Sequence, residues 1–154
     1  MNPISPQPIS RQDFLKTCGA TCLALTSLTL AGCKSVYYAQ EPVIKDKSIQ
    51  VKKTEFEAIS KKGEKSIRPF ILVELKGQAF PIYLYRRSDT DFNAVLMKCS
   101  HQGNELNAHD GYLTCPAHGS EYDATGKVTE GPAERNLTAY RVTTEGEFIY
   151  IHIA

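Results

Sequence analysis

The chain has 154 residues, the size of one ordinary domain. Its 18 basic and 17 acidic residues leave a formal net charge of +1. That balance lacks the charge excess a nucleic-acid-binding surface needs.

The first 32 residues read as a targeting segment and are set aside before fold is considered. "SRQDFLK" (10–16) brings positive charge, and "TCGATCLALTSLTLAG" (17–32) is apolar but carries several Thr and Ser. Sixteen helical residues reach about 24 Å, short of the roughly 30 Å hydrocarbon core. Residues 1–32 are therefore read as a signal peptide, with a short buried helix or an uncleaved anchor as the alternatives. The stretch closes on "LAGC", Leu30 to Cys33, which resembles the bacterial lipobox. That resemblance implies that Cys33 is lipidated and becomes the mature N-terminus. "SRQDFLK" resembles the twin-arginine export signal but has Gln12 where the second arginine stands. Together they imply an exported protein, held by lipid on the outer side of the bacterial cytoplasmic membrane or in the outer membrane. Cys18 and Cys22 leave with the signal, so Cys99 and Cys115 are the unassigned cysteines of the mature chain.

Residues 33–47 are polar and without a clear period, and read as a tether; Tyr37 and Tyr38 face either lipid or core. The domain proper is placed at 48–154. "SIQVKK" (48–53) alternates weakly, and "TEFEAISKK" (54–62) has the makings of one helical turn. "KKGEK" (61–65) is a solvated charged turn. "RPFILVEL" (68–75) is a strand, turning at "KGQ" into "AFPIYLYRR" (79–87), where Phe80, Ile82 and Leu84 alternate against Tyr83 and Tyr85. "FNAVLMK" (92–98) follows the turn "SDTD", and "LTAYRVTT" and "EFIYIHI" flank "EG" as a final hairpin. No twelve-residue stretch keeps a 3.6 period. The class is all-β, built from short antiparallel strands.

The chemistry lies between Cys99 and Ser120, "CSHQGNELNAHDGYLTCPAHGS". Cys99 and His101 form one pair, Cys115 and His118 a second, and each pair follows a strand, so both loops can project from one end of a hairpin. A disulfide is open to two cysteines in an oxidising compartment. Zinc sites of two cysteines and two histidines usually group like with like. Mixed pairs instead suit a centre of two metals, with thiolates on one and imidazoles on the other. His109 reads as a loop residue, and His152 as a strand residue without a visible partner.

C-x-H, then C-x-x-H followed by "GS", resembles the Rieske family. The resemblance implies an antiparallel β-sandwich with a cluster-binding subdomain of two loops. It also implies one 2Fe-2S cluster held by Cys99, His101, Cys115 and His118. "HGSEYDATGKVTEGPAERNL" (118–137) looks like the quinol-oxidising branch of cytochrome bc complexes. There, residues matching Ser120 and Tyr122 hydrogen-bond to sulfur, and a loop matching Gly131, Pro132 and Ala133 covers the cluster. The chain departs from that branch where a loop-joining disulfide stands, having Asn104 and Ala117, and has Gln102 in place of a shielding leucine. The implied function is single-electron transfer from quinol or a redox donor to a cytochrome or similar acceptor, within a larger oxidoreductase complex. The alternatives are the small subunit of an exported oxidase such as arsenite oxidase, a ferredoxin feeding an oxygenase, and a zinc-bound module.

Overall fold

The computed structural model describes residues 36–153 and Gln12. Apart from Gln12, the signal peptide, Arg11, the Leu30–Cys33 motif and the lipidation site Cys33 lie outside the described residues. The domain's regular secondary structure is almost entirely strand. In chain order the strands are β1 (Val43–Lys45), β2 (Ser48–Lys52), β3 (Glu57–Ile59), β4 (Lys65–Ile67), β5 (Phe70–Val73), β6 (Ile82–Arg86), β7 (Phe92–Leu96), β8 (Asn107–Ala108), β9 (Tyr112–Thr114), β10 (Glu121–Asp123), β11 (Val128–Glu130), β12 (Ala139–Glu145) and β13 (Phe148–His152). A 3₁₀ turn, Lys53–Phe56, buries Phe56. Among the described residues no helix is long and apolar enough to cross a membrane.

The strands form three antiparallel sheets: β1-β2-β13-β12-β7-β6-β5, then β11-β10-β9-β8, then the hairpin β3-β4. The large sheet folds over on itself at β12. Ala139 and Tyr140 pair with β7, while Arg141–Glu145 pair with β13, so one strand passes between two layers. The space between the layers is filled by Ile49 and Val51 of β2, Ile149 and Ile151 of β13, and the facing residues Ile71, Ile82, Leu84 and Phe92. All are buried, six of these eight to 0 % exposure.

The opposite face of β5, β6 and β7 is covered too. Leu72, Tyr83, Val95 and Met97 pack there against Leu106, Leu113, Tyr122 and Leu137 from the four-stranded subdomain and its flanks. The alternation expected for β6 holds, and the second layer buries both of its faces: Ile82 and Leu84 enter one core and Tyr83 the other, and all three are fully buried. At Gly126 the turn after β10 comes so close that an added Cβ would lie 3.0 Å from Val95 and 3.1 Å from Leu137. That position has φ +84°, so glycine meets both a steric and a backbone requirement there.

Three expectations change. The segment read as a tether is built into the domain over its described part. Ala39 donates its N–H to the Leu72 carbonyl at 2.8 Å, and Leu72 donates to the Tyr37 carbonyl at 2.9 Å. Tyr37 packs on the core and donates to Glu55 at 2.8 Å, and the Arg68 guanidinium lies 3.9 Å from its ring centroid. β1 then pairs with β2 across the two-residue turn Asp46–Lys47, both with positive φ. A turn of this hand normally announces itself with Gly or Asn-Gly, and "KDK" does not. The second change is at 57–67, where the single helical turn leads at once into the hairpin β3-β4. The third concerns the ligand loops: β7 and β9 belong to different sheets, so the loops do not spring from one hairpin.

Candidate metal centre

The two ligand loops are copies of one local design. After β7, the Cys99 N–H donates to the Asn104 carbonyl at 2.8 Å, and Gly103 donates back to the Cys99 carbonyl at 2.8 Å. After β9, the Cys115 N–H donates to the Ser120 carbonyl at 2.8 Å, and Gly119 donates back to the Cys115 carbonyl at 3.0 Å. Gly103 and Gly119 each have φ +78°. Each turn reverses the chain through a conformation that glycine adopts without steric cost. The signal was in the sequence as C-x3-G in both halves, "CSHQG" and "CPAHG", and the ligand spacing alone overlooks it.

The loops bring the four donors together as two like pairs. Cys99 and Cys115 are free thiols, each 3 % exposed, and belong to the same buried cluster. His101 and His118 are exposed, with ring centroids 5.0 Å apart and planes edge-on at 82°. Among the described residues no three such donors converge on a single ion. One side of the site is therefore dry and sulfur-lined, the other wet and imidazole-lined. This donor set fits a two-iron cluster whose irons take different ligands.

Around the thiols the second layer is polar and fully partnered. The Tyr122 ring is wholly buried, and its hydroxyl lies 3.3 Å from Cys99 Sγ. That hydroxyl accepts the Ser100 N–H at 3.2 Å and lies 3.1 Å from Ser100 Oγ. Ser100 Oγ also donates to the Arg135 carbonyl, which ties the first loop to the segment after β11. Ser120 is wholly buried, and its Oγ accepts the Ala133 N–H at 3.0 Å, keeping its own hydrogen to donate. Ala133 is buried, while Gly131 and Pro132 are exposed beside it. Burial pushes the Cys99 thiol up, but hydrogen bonds from Tyr122, from the His101 backbone, from Cys115 and from the Gln102 backbone bring it below the ordinary value. Burial and the bond to Cys99 push the Tyr122 phenol up, so it stays a neutral donor. Among the described residues no buried side-chain nitrogen or oxygen lacks a partner.

Tyr83 is a positioning residue that the pattern of β6 did not reveal. From the main sheet it donates to the His109 carbonyl at 2.8 Å and accepts the Gly111 N–H at 3.2 Å. It thereby fastens the β8-β9 turn to the sheet. His109 itself stacks on Tyr112 with centroids 4.5 Å apart, and its Nε2 lies 3.0 Å from Thr114 Oγ1. His152 does have a partner, Thr143 Oγ1 at 2.9 Å.

Residues 43–141 match the family model described as "Rieske [2Fe-2S] domain". The chain is 40% identical over 84 residues to cytochrome b6-f complex iron-sulfur subunit 1 of Nostoc sp. (strain PCC 7120), across 50% of this chain and 44% of the relative. It is 39% identical over 84 residues to the cytochrome b6-f complex iron-sulfur subunit of Synechococcus elongatus, with the same coverage. The chain thus spans less than half the length of these curated relatives. Among solved structures it is similar to the plasma membrane Rieske protein PetC3 of Synechocystis PCC 6803, at 30% identity and a TM-score of 0.47, across 54% of this chain and 85% of that one.

Proposed function

The chain belongs to the Rieske [2Fe-2S] domain family, and from that premise we propose that it carries single electrons. One 2Fe-2S cluster follows from the family. We assign Cys99 and Cys115 to one iron and His101 and His118 to the other. When bound, the cluster supplies a one-electron couple that histidine ligation raises above that of all-cysteine clusters, to about −150 to +300 mV.

The residues give this couple a direction. Thiols buried at 3 % exposure keep the sulfur side from water. Tyr122 donates to the Cys99 sulfur, and we assign Ser120 the same role toward the cluster. Such bonds withdraw electron density and favour the reduced form. Gly131, Pro132 and Ala133 form the covering loop, fastened by the Ala133–Ser120 bond. The exposed imidazole pair is the edge where a donor or acceptor arrives. This segregation of buried thiols from exposed imidazoles is the observation that carries the reading.

The donor in this reading is a quinol or a redox protein, and the acceptor a cytochrome or similar carrier. The b6-f names of the curated relatives support this over an oxygenase-feeding ferredoxin. "LAGC" and "SRQDFLK" support export and attachment through lipid on Cys33, on the outer face of the cytoplasmic membrane or at the outer membrane. The chain is then one subunit of an oxidoreductase complex rather than an enzyme by itself. The test is iron and acid-labile sulfide per chain in purified protein. Two of each are expected, with both lost in Cys99→Ser and in His118→Ala. A variant of either kind that keeps the full complement overturns the ligand assignment.

A further inference from the structure

Beside the first ligand loop a groove of about 640 Å³ opens to solvent. Phe80, Lys98, Gln102, Arg135, Asn136 and Thr138 line it together with the loop itself, and no carboxylate does. Lys98 and Arg135 are both exposed. Glu105 lies across a backbone bridge from Lys98, and Glu134 precedes Arg135. Yet among the described residues the ion pairs involve neither cation.

Both cations are nevertheless held in place. The Lys98 stem runs along Gly103, where an added Cβ would come within 3.2 Å of its Cε. Its ammonium lies 5.7 Å from the Phe80 ring centroid. The Arg135 guanidinium donates to the Ser100 carbonyl at 3.5 Å. A charge already positioned loses little side-chain freedom when it meets a partner. The groove also reaches His101, the exposed edge of the candidate centre.

We propose that the Lys98–Arg135 groove is a docking rim for an acidic redox partner protein, whose surface carboxylates seat on the two cations while its own redox centre faces His101. The inference rests on the reading that electrons pass through the imidazole edge. An open trough with exposed cations does not enclose a small anion as a ligand cavity does. A protein partner that brings its centre to His101 must instead lay its rim across this groove. With a net charge of only +1 on the chain, the long-range field is weak. The cation pair therefore acts at short range, fixing orientation and suppressing like-charged partners.

The experiment uses the cluster-loaded protein with two soluble cytochromes c, one of net negative and one of net positive charge. Calorimetry gives Kd and stopped flow gives the electron-transfer rate constant, each at low and at physiological ionic strength. The double variant Lys98→Gln/Arg135→Gln should lose about tenfold in affinity, seen as a higher Kd, and about tenfold in rate constant with the acidic cytochrome at low salt. It should lose nothing with the basic one, and Lys98→Arg should retain the wild-type values. The single variant Lys98→Gln, which leaves the Arg135–Ser100 contact in place, should lose about threefold. Unchanged values with the acidic cytochrome, or an equal loss with both, overturn the proposal. The visible spectrum of each sample reports the electron-carrier reading separately. Kd reports docking whether or not an electron passes, so docking is decided even where that reading fails.

Discussion

The two cores flanking β5, β6 and β7 differ in kind. The one inside the folded-over sheet contains only Ile, Val, Leu, Phe and Ala among its buried residues. The one beneath the ligand loops contains Tyr83, Tyr122, Cys99 and Cys115 as well, with Ser120 fully buried beside them. Apolar contacts are non-directional and contribute by area alone. Buried hydroxyls are costly unless partnered, so each permits few arrangements of its neighbours. The first core holds the domain together, whereas the second also fixes where two loops stand.

The difference can be broken from either side. The largest effect belongs to the first core. Ile149→Ala removes a fully buried side chain from β13 and should cost about 2–5 kcal/mol in denaturant unfolding. The cluster spectrum should be unmoved, and a shifted one would show that the two cores are not separable. Next comes Tyr83→Phe, which strands the His109 carbonyl and the Gly111 N–H. The cost should be about 1–3 kcal/mol, with faster hydrogen exchange at Gly111 and its neighbours. A protein of wild-type stability would mean that this hydroxyl does not fasten the β8-β9 turn.

The smallest effect on stability is the most informative about the site. Tyr122→Phe removes the donor to Cys99. Losing a bond that favours the reduced form should lower the reduction potential by about 60 mV, the one-electron equivalent of roughly 1.4 kcal/mol. A potential unchanged or raised would separate the buried tyrosine from the cluster chemistry.

What the sequence made legible was local. C-x-H and C-x-x-H single out the four candidate donors, strand-forming runs mark β5, β7, β12 and β13, and "EG" marks the last turn. What it hid depends on contacts between distant segments. The alternation of β6 sets Tyr83 apart from Ile82 and Leu84, but a second layer behind it cannot be read from period alone. Ser100 lies between Cys99 and His101, yet its value comes from Tyr122 and Arg135, 22 and 35 residues away. Residues 36–47 looked unstructured because their anchoring comes from distant Glu55, Arg68 and Leu72 and from a hairpin turn without glycine. Lys98 and Arg135 meet only in the folded groove.

The most direct test of the electron-carrier account is a redox titration of the purified, cluster-loaded protein followed by electron paramagnetic resonance. The account predicts one one-electron transition with a midpoint between about −150 and +300 mV, in the range of histidine-ligated 2Fe-2S centres. A colourless protein that binds zinc, or a midpoint near the roughly −400 mV of all-cysteine clusters, would contradict it.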